Sequence, residues 1–132
     1  MMRAEGTFEV KLTPQPADAY FDAVSLGRLT IDKTFRGDLE GTSRGQMMSA
    51  VTSVKGSAGY VAIERVPGTL DGKSGTFVLQ HSGTMHRGQA SLVLTVVPDS
   101  ATAGLTGLSG SMQIIIAEGK HSYVFDYAIV PG

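Results

Sequence analysis

The chain has 132 residues, 42% hydrophobic and 17% charged, with 11 Lys and Arg against 12 Asp and Glu for a formal net charge of −1. This length fits one domain over residues 1–132 with a continuous core, and no apolar run approaches the ~20 residues of a membrane helix. The dispersed, nearly balanced charge offers no footprint for nucleic acid, and the absence of cysteine excludes disulfides, thiolate nucleophiles and sulfur-ligated metals.

The first residues, "MMRAEGTFEV", lack the apolar stretch and small-residue cleavage site of a secretory signal. A soluble, cytoplasmic protein with no membrane partner is expected. Seventeen glycines punctuate short segments of alternating or β-branched character, which predict strands. In chain order these are Gly6–Leu12, Gly27–Leu39 (split or bent), Gly45–Val54, Gly59–Val66, Gly75–Thr84, Ala90–Val97, Gly110–Ala117 and Ser122–Val130. Only Pro16–Arg28 breaks the rhythm, and it is read as irregular. No linker divides the chain.

Eight short strands with alternating faces predict an all-β fold, an eight-stranded antiparallel β-barrel, because closure removes exposed sheet edges. A two-sheet sandwich is the alternative. The inward positions of such a barrel either fill the interior or line a pocket for one small ligand. Three stretches, Gly37–Gly45, Gly68–Phe77 and Ala103–Met112, share the pattern Leu-x-Gly-x-Ser followed by Gly. They read as tight turns between strands rather than binding loops, since glycine accepts positive φ.

Those glycine turns, together with "IDKTFRGDLEGTSRGQM", "GSAGYVAIERVPGTLDGKSGTFVLQHSGTM", "VVPDSATAGLTGLSGSM" and "GKHSYVFDY", resemble an uncharacterised bacterial family, domain of unknown function 3224. That family is grouped with the allene oxide cyclase-like barrels, which include the dirigent proteins. The resemblance implies a barrel of the allene oxide cyclase-like type. It also implies a homo-oligomer, and a lumen suited to a hydrophobic intermediate whose cyclisation or coupling is controlled. None of the relatives' catalytic residues matches here one by one, so none is transferred.

The chemistry-bearing residues are placed by strand parity. A two-residue loop within "LDGKSG" puts Tyr60, Ala62, Glu64 and Val66 on one face with Phe77, Leu79, His81, Gly83 and Met85. The opposite face carries Arg65, Gln80, Ser82, Thr84 and His86, so the first set is assigned inward. If Gly72-Lys73 is the loop, Glu64 lies directly opposite His81. The two then form either an acid/base pair of mutually perturbed pKa or a buried pair that only satisfies itself.

His81 and His86 are an odd number of residues apart and point to opposite faces, which removes a two-histidine metal site. Zinc would require His81, His121 and a carboxylate to converge; neither a metal nor another cofactor is expected. His121, Tyr123 and Tyr127 share a face of the last strand and are candidates to line the lumen or to fill it. Lys33 alternates with Phe35 and Leu39, and either snorkels from an inward position or sits as a solvated edge charge. The candidate catalytic residues are thus Glu64 and His81, and the candidate ligand-lining residues are Lys33, Tyr60, Phe77, Leu79, Met85, His121, Tyr123 and Tyr127.

Two decoys are set aside. "GTSRG" matches G-x-S-x-G but lacks the following helix of a nucleophile elbow. "GLTGLSG" lacks the lysine and helix of a phosphate-binding loop. The function expected is binding of a compact hydrophobic molecule in the lumen. The alternatives are a cofactor-independent cyclase or isomerase using Glu64 and His81, and a structural or oligomeric module with a filled barrel.

Overall fold

The computed structural model describes residues 1–16 and 24–130. Alternation of apolar and polar residues carries through into strands β1 (Met2–Gln15), β2 (Ser25–Gly37), β3 (Leu39–Val51), β4 (Ala58–Leu70), β5 (Lys73–His86), β6 (Gln89–Val96), β7 (Leu108–Ala117) and β8 (Lys120–Ile129), with one 3₁₀ turn at Ala103–Leu105. Each strand pairs antiparallel with the next, and β1 pairs with β8 as well as β2, so the sheet closes into a barrel. Closure rules out the sandwich, which would leave edges.

Several boundaries differ from the sequence reading. β2 is one continuous strand ending at Gly37, and Leu39 already begins β3. Of the stretch read as irregular, Ser25–Arg28 belongs to β2, where Arg28 pairs with both Gln15 and Met48; residues 17–23 lie outside the described residues. Pairing from both neighbours overrides the weak local pattern there.

Three hairpins close with two-residue turns in which both residues have positive φ: Asp71-Gly72 (48° and 84°), Arg87-Gly88 (51° and 91°) and Glu118-Gly119 (53° and 76°). That conformation twists with the strands it joins, and glycine at the second position carries no steric penalty. The β4–β5 loop is therefore Asp71-Gly72 and not Gly72-Lys73. Leu70 pairs with Lys73, which places Glu64 opposite Leu79 and His81 opposite Ala62. Facing is unchanged, because any two-residue loop preserves parity.

The interior divides into two halves. One end is packed solid by Phe35, Val66, Phe77, Leu79, Met112, Tyr123, Phe125 and Tyr127, all buried. The leucine of each Leu-x-Gly-x-Ser repeat, Leu39, Leu70 and Leu105, is fully buried in the same cluster. The repeats thus plug the barrel end. The Tyr123 hydroxyl accepts from the Leu39 amide at 2.9 Å, and the Tyr127 hydroxyl donates to Asp71, tying two of these turns to β8.

The other half is open. Here the wall between β6 and β7 is incomplete, since the pair Thr95–Ser111 is the only one in their ladder. Continuing that register would set Leu92 against Ile114 and Ala90 against Ile116, and neither pair forms.

Candidate functional site

A buried polar cluster sits where the filled half meets the open one. It is assembled across three adjacent strands. Lys33 on β2 pairs with Ser43 on β3, and Gly45, two residues further along the same face of β3, pairs with Glu64 on β4. Small residues at 43 and 45 let the long side chains of β2 and β4 meet over β3. A Cβ on Gly45 would lie 2.6 Å from the Glu64 Cα and 2.2 Å from the Ile63 carbonyl oxygen, so only glycine permits this approach.

Glu64 is fully buried and accepts three hydrogen bonds. The Ser43 hydroxyl donates to Oε1 at 2.8 Å. Lys33 Nζ donates to Oε2 at 2.8 Å, and the same oxygen takes His81 Nε2 at 2.5 Å. Burial alone would raise the carboxyl pKa; the hydrogen bond from His81 and the charge and hydrogen bond of Lys33 overcome it and hold Glu64 down at about 2. Glu64 is therefore ionised at neutral pH, and its carboxylate holds the His81 ring by Nε2.

Lys33 is neither solvated nor snorkelling: it is buried, and its ammonium lies 5.0 Å from the Phe8 ring centroid and 5.7 Å from that of Phe35. Paired charge and aromatic faces together offset its desolvation.

Above this cluster opens an apolar cavity of about 510 Å³. Its walls include Val10, Leu12, Ile31, Met47, Ala62, Leu92, Ile114 and Ile116, and its polar groups include Lys33, His81, Tyr60, Ser49 and His121. The Tyr60 ring stands 6.2 Å from that of His81 and covers Gly83, where a Cβ would fall 2.4 Å from the Tyr60 Cε1. Burial and the Glu64 charge raise the Tyr60 pKa. No buried polar side-chain atom among the described residues lacks a partner. His81 engages Glu64 through Nε2, and its ring lines the cavity.

Lys33, Tyr60, Met85 and His121 line this cavity, as does His81. Phe77, Leu79, Tyr123 and Tyr127 do not: they lie toward the filled end, where aromatic packing such as the 6.1 Å stack of Phe77 on Phe125 leaves no lumen to line. Parity assigned them inward correctly, but an inward face says nothing about depth along the barrel. His86 is exposed on the outer face of β5. Among the described residues no three of His, Asp and Glu are grouped to hold a metal ion. The sequence reading missed Ser43 and Gly45 as parts of the site; their signal is the alternation of small residues on the inward face of β3. A larger and more polar depression of about 690 Å³ is bordered by the exposed Glu9, Lys11 and Arg44 and the half-buried Asp32, and reaches Lys33 and Ser43 of the cluster.

The architecture is that of a closed eight-stranded antiparallel barrel with a buried ionic cluster beneath a one-ended apolar cavity. More particularly, the chain belongs to the family described as protein of unknown function DUF3224, whose model matches residues 4–127. A crystal structure at 1.84 Å of a DUF3224 protein of unknown function from Shewanella oneidensis MR-1 is 53% identical, with a TM-score of 0.97, covering 100% of this chain and 99% of that one. Among curated proteins none matches the chain.

Proposed function

We propose that the barrel binds a compact hydrophobic small molecule in its open half. The observation that carries this reading is the apolar cavity of about 510 Å³ with a few polar groups converging at its floor. That size and polarity suit a small ligand, with apolar walls supplying affinity and the floor setting orientation. A barrel serving only as a structural module gains nothing from leaving half its interior unfilled over a buried Lys33–Glu64–His81 cluster, which costs desolvation.

The test is mass spectrometry under native conditions on protein purified without detergent, followed by binding of an apolar fluorescent dye. A co-purified small molecule or stoichiometric dye binding supports the reading. Ala62→Phe, which places a ring at the cavity floor opposite His81, should abolish both. Dye bound equally well by Ala62→Phe overturns it.

A second reading, a cofactor-independent isomerase or cyclase acting on a hydrophobic intermediate, is favoured by one observation. Glu64 holds His81 by Nε2, leaving Nδ1 free to act as a base toward the cavity. In this reading Nδ1 takes a proton from a carbon beside a carbonyl while a Lys33 N–H supports the oxygen as it gains charge. The proton returns to a different carbon of the same molecule, so no other reactant is consumed. Hydrogen–deuterium exchange into an enolisable ketone, absent in His81→Leu, is its signature.

A further inference from the structure

The floor of the cavity presents one acceptor and one donor side by side. His81 Nε2 is spent on Glu64, and in the neutral imidazole a donor at Nε2 makes Nδ1 the acceptor. Lys33 has three ammonium N–H donors, and Glu64 Oε2 is its one hydrogen-bond partner among the described residues. Both side chains line the cavity and are brought together by the single oxygen they share.

The charges restrict the ligand further. Lys33 and Glu64 neutralise one another, so the pair brings no net charge to the floor. A carboxylate ligand would set a second anion beside Glu64 in an apolar enclosure, which is unfavourable without another cation. A plain hydrocarbon would leave Nδ1 and the ammonium without partners once water is displaced.

We propose that the site is built for an apolar molecule bearing a hydroxyl, an alcohol, phenol or enol, whose O–H donates to His81 Nδ1 and whose oxygen accepts from Lys33 Nζ. Either bond is made directly or through one ordered water. The inference rests on the cavity being a ligand site. It adds the class of ligand: a group that both gives and receives one hydrogen bond, on an otherwise apolar body.

The experiment compares three probes of one ring system on the wild-type chain by fluorescence: 2-naphthol, 2-methoxynaphthalene and 2-naphthoate. The naphthol is expected to bind about tenfold more tightly than the methoxy compound, which accepts but cannot donate, and more tightly than the carboxylate. In His81→Leu, which removes the acceptor and leaves Lys33 and Ser43 on Glu64, the naphthol and the methoxy compound should become equal. Equal binding of those two by the wild type, or preference for the carboxylate, overturns the hydroxyl inference alone. Exclusion of all three probes overturns the ligand-site reading, and this inference with it.

Discussion

Lys33 on β2 reaches past β3 to Glu64 on β4, with Nζ 2.8 Å from Oε2, although the two strands are not neighbours in the sheet. The contact exists because Ser43 and Gly45 leave the intervening inward face nearly bare. Through it, three strands are locked in register at the boundary between packed core and cavity.

Removing one member of this pair leaves the other charge buried and alone. Glu64→Leu should destabilise the barrel by about 3–5 kcal/mol, measured as a lower midpoint in urea. The double variant Lys33→Met with Glu64→Leu should recover most of that loss, since no uncompensated charge remains. A double variant as unstable as Glu64→Leu would show that the pair is not what the single substitution disrupts.

The same carboxylate sets an acid limit. Its folded pKa of about 2 lies below the ordinary value of 4.5, so ionised Glu64 favours the folded state above pH 4.5. That contribution is lost as pH falls from 4.5 toward 2. A difference of this size corresponds to about 3 kcal/mol. Stability measured by denaturant at stepwise pH should fall more steeply through that window for the wild type than for Glu64→Gln; parallel curves would count against the assignment.

Gly83 gives room for the Tyr60 ring. Gly83→Val forces the ring off the β5 backbone and into the cavity, so 2-naphthol affinity should fall at least severalfold at a stability cost of about 1–3 kcal/mol. Far-ultraviolet circular dichroism should remain that of the wild type. Unchanged affinity in a folded variant would mean that the ring has another place to go.

Two tyrosines of β8 secure the plugged end unequally. Tyr123→Phe strips the buried Leu39 amide of its partner and should cost about 1–3 kcal/mol. Tyr127→Phe loses a bond to the exposed Asp71, which water replaces, and should cost about 1 kcal/mol or less. The order of the two thermal midpoints checks this.

The thin seam between β6 and β7 predicts uneven amide protection. Amides of β6 and β7 that point across the seam above Thr95–Ser111 should exchange with solvent far faster than those of the same strands that point to β5 and β8. Residue-resolved hydrogen exchange measures both sets in one experiment. Equal protection would require pairing across the seam.

By itself the sequence determined the barrel class and the faces. Alternation is a local property, and parity survives an error in the loop: Glu64 and His81 share the interior whether the turn is Asp71-Gly72 or Gly72-Lys73. It also marked the Leu-x-Gly-x-Ser repeats as turn chemistry, while the burial of Leu39, Leu70 and Leu105 as an end plug follows only from bringing three distant segments together. Which inward residues line a space and which fill one was decided by the tertiary structure, because depth along a barrel depends on strand stagger and not on period. Tyr123 and Tyr127 therefore went to the core and His121 to the cavity. Lys33 was ambiguous for the same reason: a lone lysine on an inward face is explained only by the carboxylate that meets it, and that carboxylate comes from two strands away, across a residue with no side chain.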